Sequence, residues 1–174
     1  MTDLLAAGLV RDIPDFPTPG VTFKDITPVL ADSAALQEII DRFAEWATAC
    51  SPAVVVGIES RGFLFGVPLA LALGVGFVPI RKAGKLPRET WQREYALEYG
   101  AGVLEMHRDA LRPGQRVLLI DDLLATGGTA SAAAHLVAIS GGHVVGIGFL
   151  LELCTLQGRA RLAEYDAHAL LSYE

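Results

Sequence analysis

Cysteine is scarce, and the little there is follows no pattern. Only Cys50 and Cys154 occur in 174 residues. They form no metal-ligand spacing and no disulfide framework, so free thiols in a reducing compartment are expected. The four histidines, His107, His135, His143 and His168, are scattered, which leaves no zinc pattern and no Ser-His-Asp arrangement. No run of about 18 apolar residues occurs, so no membrane span is expected. Met1-Thr-Asp-Leu-Leu lacks a basic stretch leading into an apolar one, which argues against a signal peptide and for a cytoplasmic protein. Basic residues are a minority: fourteen Lys and Arg against twenty Asp and Glu give a net charge of −6. That disfavours a broad nucleic-acid-binding face but permits a local basic patch for a phosphorylated small molecule. Repeats, low-complexity tracts and long linkers are also missing, so a single domain spanning residues 1–174 is expected.

What is present is apolar and alternating in type. Hydrophobic residues make up 52% of the chain, enough for a well-buried sheet. Residues 3–12 read as a short helix capped by Thr2. Pro14, Pro17 and Pro19 forbid helix and make an extended, ordered loop of residues 14–23. Ser33 reads as the cap of an amphipathic helix to about Cys50, with Leu36, Ile39, Ile40, Phe43, Trp46 and Ala47 at helical spacing. Apolar strands are expected at 53–58, 77–80, 117–121, 144–151 and 169–172. Helices are expected at 63–73, 128–140 and 156–163, with Gly141-Gly142 stopping the second. Such alternation predicts an α/β fold: a central, mostly parallel sheet flanked by helices.

The densest signal is Val117-Leu-Leu-Ile-Asp-Asp-Leu-Leu-Ala-Thr-Gly-Gly-Thr129. A buried strand delivers Asp121 and Asp122 to its carboxyl end, where open α/β sheets bind ligands. Ala125, Thr126, Gly127, Gly128 and Thr129 carry no bulky side chains, so their N–H groups can wrap a phosphate at the start of the next helix. A strand-turn-helix packed on its glycines is the plainer alternative; thirteen residues in this order outweigh it. The motif resembles the phosphoribosyl-diphosphate (PRPP) loop of the type I phosphoribosyltransferases, and its wording resembles their adenine branch.

Other segments carry the same resemblance, which spans about Phe16 to Glu174. Glu59-Ser-Arg-Gly-Phe63 follows a strand, and a glycine beside an arginine suits an anion. The resemblance makes Ser60 and Arg61 diphosphate-binding. Arg81-Lys-Ala-Gly-Lys85 places three cations after another strand, able to stabilise a departing diphosphate; the resemblance makes Arg81, Lys82 and Lys85 its ligands. In relatives the arginine reaches into the neighbouring subunit, which implies a homodimer. Residues 86–100 are long and polar, as lids are. Within them Leu97-Glu98-Tyr99-Gly100 matches the adenine branch. Glutamates in such stretches are usually surface residues; the match alone singles out Glu98 as the catalytic proton handler at the purine and Tyr99 as a lid residue.

Phe16-Pro-Thr-Pro-Gly resembles the adenine branch's hood, a small N-terminal element over about residues 1–30. Thr22, Phe23, Lys24 and Leu153 are thereby implied in adenine binding, although Thr22 departs from an apolar residue and Lys24 from an arginine. The implied fold is the type I phosphoribosyltransferase fold. The implied reaction is adenine plus PRPP giving AMP plus diphosphate, in purine salvage. Mg²⁺ is the implied cofactor, held through substrate and water with no direct protein ligand. No nucleic-acid or membrane partner is expected. Two alternatives remain at this level: a 6-oxopurine as the base, or a non-catalytic regulator on the same fold.

Overall fold

The computed structural model describes residues 4–96 and 101–174. The chain divides into two compact units, residues 1–42 and 43–174.

In the first unit, strands β1 (Arg11–Ile13) and β2 (Phe23–Asp25) form a two-stranded antiparallel sheet. This corrects the helix expected over 3–12. Only a 3-10 turn, Leu5–Gly8, forms there, and the chain then extends to pair with β2. A lone helix of that length is marginal, and strand pairing overrides its propensity. It also corrects the loop expected over 14–23, whose last residue, Phe23, opens β2. The connection between the strands is held by Asp15, whose Oδ1 accepts the Gly20 amide at 2.7 Å, and by Phe16 edge-on to Phe23 at 5.2 Å. A short helix, α1 (Thr27–Ala31), precedes α2 (Ser33–Cys50). The cap of α2 is Asp32 rather than Ser33: its Oδ1 accepts the amides of Ala34 and Ala35 at 3.0 and 2.9 Å. Ile39, Ile40, Phe43 and Ala47 are buried, as the helical spacing requires.

In the second unit a seven-stranded sheet carries the core. Its strands are β3 (Val54–Ile58), β4 (Gly76–Lys82), β5 (Thr90–Ala96), β6 (Ala101–His107), β7 (Arg116–Leu124), β8 (His143–Leu153) and β9 (Ala167–Tyr173). Their order is β5-β6-β4-β3-β7-β8-β9. β4, β3, β7, β8 and β9 run parallel, and β6 and β5 add an antiparallel edge. β3 is buried throughout, as are Val117 to Ile120 of β7. Strands covered on both faces read as continuous apolar runs. Helices α3 (Gly62–Leu73) and α4 (Gly128–Ile139) connect them. On β8, Gly146 and Gly148 make room for Trp46, which stacks on His168 at 4.9 Å.

Two further expectations are corrected. The polar stretch after residue 86 is largely strand: β5 pairs residue by residue with β6, from Thr90↔His107 to Ala96↔Ala101. Its β-forming Thr90, Trp91 and Tyr95 were hidden among charged neighbours. The helix expected over 156–163 is two 3-10 turns, Cys154–Leu156 and Gly158–Leu162, separated by Gln157 with a left-handed φ of 51°. No helix among the described residues is long and apolar enough to cross a membrane.

Candidate active site

From β3 the chain steps to β4 on one side, while β7 lies on the other. The carboxyl ends of β3 and β7 therefore flank a topological switch point, where open α/β sheets leave a crevice. Pairing of β3 to β7 ends at Gly57↔Ile120, but β7 continues along β8 to Leu124↔Glu152. Asp121 and Asp122 thus lie inside a longer strand than expected, on the stretch where it loses one neighbour.

Both acids are buried, 8% and 6% exposed. Asp122 Oδ2 pairs with Arg61 Nε at 2.6 Å, bridging the β3 turn to β7. Gly62 makes this possible, since a Cβ there would sit 2.6 Å from the Ile120 carbonyl oxygen. Asp121 Oδ1 accepts its neighbour's amide at 2.9 Å. Burial first, and the Asp122 charge second, push the Asp121 carboxyl well above its ordinary range. Burial also raises Asp122, against the pull of Arg61. Crowded together at the end of β3–β7 pairing, the two carboxyls hold a proton more readily than free ones do.

Beyond β7, Ala125 and Thr126 lead to Gly127, whose φ of 78° is left-handed and favours glycine. Gly127 caps α4, and Gly128 and Thr129 open it. The loop's position is set by backbone contact with the second 3-10 turn. A Cβ on Gly127 would lie 2.5 Å from Gly158 O, and one on Gly158 would lie 2.2 Å from Ala125 O. Arg159 fixes that turn: its guanidinium grips the buried Glu152 carboxylate at 2.7–2.9 Å and also donates to Ala167 O. Leu153, beside Glu152, ends β8. Tyr95 of β5 reaches the same loop, where the Thr129 hydroxyl bonds to its phenol; burial, more than the Asp121 charge, raises its pKa.

The cationic stretch is organised by two buried carboxylates. Glu59, whose peptide bond to Ser60 is cis, receives Arg81 Nε at 3.1 Å, Lys85 Nζ at 3.0 Å and the Lys82 amide at 3.0 Å. Burial alone would raise its pKa, but the bonds from Lys85, the Lys82 amide and Arg81 outweigh burial and bring it to about 2. Glu105 of β6 receives the Lys85 and Leu86 amides at 2.8 and 2.9 Å. Arg81 and Lys85 thus converge, as the sequence suggests, but on an acid the sequence reading passed over. A lone glutamate at a strand end, followed 22 residues later by cations, was its only signal.

Thr22 precedes β2, and Phe23 and Lys24 lie in it; Lys24 Nζ pairs with Asp12 at 2.7 Å. Glu98 and Tyr99 lie outside the described residues.

Comparison with known proteins agrees with this geometry. Residues 29–170 match the phosphoribosyl transferase domain. An adenine phosphoribosyltransferase from Roseiflexus is 56% identical over 167 residues, covering 96% of this chain and 97% of that protein. The crystal structure of adenine phosphoribosyltransferase from Thermoanaerobacter pseudethanolicus superposes with a TM-score of 0.94 at 52% identity, covering 97% of this chain and 98% of that one. The Saccharomyces cerevisiae enzyme, complexed with an imino-altritol bisphosphate and adenine, superposes at 0.91 with 40% identity, covering 95% and 96%. With the crevice at the switch point, its acidic pair and the glycine-built loop in place, the chain belongs to the adenine phosphoribosyltransferase family, on the type I phosphoribosyltransferase fold.

Proposed function

We propose that this protein transfers the 5-phosphoribosyl group of PRPP to adenine, releasing AMP and diphosphate, as a cytoplasmic step of purine salvage. The observation that carries the reading is the buried Asp121–Asp122 pair, tied to Arg61 at the switch point and followed at once by the Gly127-Gly128 turn. Carboxylates there accept hydrogen bonds from ribose hydroxyls. The N–H groups of Ala125 to Thr129, with the Thr126 and Thr129 hydroxyls, suit a 5′-phosphate at a helix start. Ser60, Arg61, Arg81, Lys82 and Lys85 stabilise the charge that grows on the leaving diphosphate.

Asp121 and Asp122, side by side, would hold Mg²⁺ through water, as oxygen ligands suit it. The metal's contribution when bound is neutralisation of diphosphate charge. Adenine is assigned to Thr22, Phe23 and Lys24, and to Leu153. Among the described residues β2 pairs with β1 in a two-stranded sheet. The Lys24 ammonium pairs with Asp12 at 2.7 Å. The catalytic role at the purine falls to Glu98, with Tyr99 closing the lid.

The test is AMP formation from PRPP and Mg²⁺ with adenine, guanine, hypoxanthine and xanthine side by side. Adenine is expected to dominate, and Glu98→Gln to lower kcat by about 10²-fold or more. A 6-oxopurine preference would overturn the base assignment while leaving the PRPP site standing.

A homodimer is part of the same proposal. Leu64, Val67 and Leu71 are 45%, 43% and 77% exposed and fall on one face of α3. Exposed apolar stripes of this kind mark interfaces. Leu71→Asp is expected to convert a dimer into a monomer in sedimentation velocity; an unchanged dimer would place the interface elsewhere.

A further inference from the structure

Glu105 is 2% exposed, and it stands on β6 opposite Arg81 of β4 on one side and Gln92 of β5 on the other. A charge in so dry a place costs several kcal/mol unless donors surround it. Here they do. One oxygen accepts the Lys85 amide at 2.8 Å and the Leu86 amide at 2.9 Å; the other accepts Gln92 Nε2 at 3.3 Å. The Gly84 amide adds to these, and together they hold the carboxyl below its ordinary value against the opposing effect of burial.

These donors sit on the turn that carries the cations. Glu59 holds the loop by its charged ends, through Arg81 and Lys85. Glu105 holds the same loop by its backbone. The two are connected, because the Lys85–Leu86 peptide donates its Leu86 amide to Glu105 at 2.9 Å while its Lys85 carbonyl accepts Arg81 Nη1 at 3.2 Å. Moving the Lys85 peptide therefore reorients Arg81 as well. An exposed turn has water for its amides and needs no buried acid to be stable, so a geometric requirement on the loop accounts better for the charge.

We propose that Glu105 is a positioning residue for diphosphate. It fixes residues 84–86 so that Arg81 and Lys85 present their charge in one geometry to the leaving group. The inference rests on the reading of residues 81–85 as the diphosphate seat. It adds a residue that acts through the loop and lies 20 positions from Lys85 in sequence.

The experiment compares Glu105→Gln, Gln92→Glu and the double exchange, measuring KM for PRPP, KM for adenine, kcat, inhibition by pyrophosphate and the thermal midpoint. Glu105→Gln removes the negative charge that the Gly84, Lys85 and Leu86 amides surround, while the Gln92 amide can turn its oxygen to the new donor. PRPP KM and the pyrophosphate inhibition constant are expected to rise about tenfold, a loss typical of a displaced charge contact, with adenine KM within about twofold. The double exchange returns one carboxylate to the pair, opposite an amide donor, and is expected to recover most of the loss. Equal rises for adenine and PRPP, tracking the thermal midpoint, would reduce Glu105 to a stabilising role and overturn the proposal. Arg81→Ala and Lys85→Ala are measured alongside. If they raise PRPP KM while Glu105→Gln does not, the proposal alone fails; if neither affects PRPP or pyrophosphate, the diphosphate seat is misplaced and the proposal falls with it.

Discussion

Gly158→Ala is expected to cripple use of PRPP while leaving most of the fold standing. The new methyl would lie 2.2 Å from Ala125 O and 3.0 Å from Gly127 N, and both contacts are backbone, which cannot swing aside. The 3-10 turn cannot retreat easily either, since Arg159 anchors it to Glu152 and to Ala167 O. The loop over residues 125–127 must therefore shift by about 1 Å to relieve the overlap. Hydrogen bonds to a phosphate tolerate only a few tenths of an ångström, and a misplacement of about 1 Å commonly costs about 10²-fold in rate. The expected result is a fall in kcat/KM for PRPP of about that size, with an overpacking cost of about 1–3 kcal/mol in stability. Gly76→Ala is the control: nothing lies within 4 Å of a Cβ there, and near-normal kinetics are expected. PRPP kinetics changed by less than about threefold in Gly158→Ala would show that this loop does not seat the phosphate.

The second large effect separates stability from activity. Asp121→Asn replaces a buried carboxylate, raised by burial and by the Asp122 charge, with a neutral isostere. Activity is expected to drop by about 10²–10³-fold, the usual loss when a charged contact to a reacting system is deleted. The free protein is expected to become more stable at neutral pH, because a repulsion has been removed.

The pH dependence carries the sign. A carboxyl whose folded pKa lies above its ordinary 3.8 keeps its proton better when folded. The free protein therefore loses stability as pH rises from 3.8 through the raised folded value. Glu59 acts in the opposite sense, and only below its ordinary 4.5: its contribution is present above that value and lost as pH falls toward about 2. Above its ordinary 4.5 Glu59 no longer contributes a change, so thermal melts of parent and Asp121→Asn compared above that pH report the aspartate, and the substitution should flatten the decline. A variant less stable than the parent at neutral pH would show that Asp121 is held by contacts stronger than its repulsion from Asp122.

Much of this was legible in the chain because it is local. The alternation of apolar runs with helical spacings is enough for the α/β sheet, and thirteen contiguous residues carry both the acidic pair and the phosphate turn. Arg61 lies in the turn after β3, but Arg81 and Lys82 lie at the end of β4 itself rather than after it, because pairing with β6 extends that strand past the apolar run 77–80. Where local signals misled, pairing was the cause. β1 took residues that read as helix, and β5 took residues that read as loop, because a partner strand supplies hydrogen bonds that propensity does not anticipate.

The sequence by itself determined the fold class and the resemblance that names the family, since each depends on residues close together in the chain. Only the tertiary structure decided what holds those segments in place. Glu59 and Glu105 lie about 20 residues from the loop they organise, and Gly158 lies 31 residues beyond Gly127, whose turn it touches. Burial and backbone contact at such separations arise from strand order, and strand order exists only once the sheet has formed.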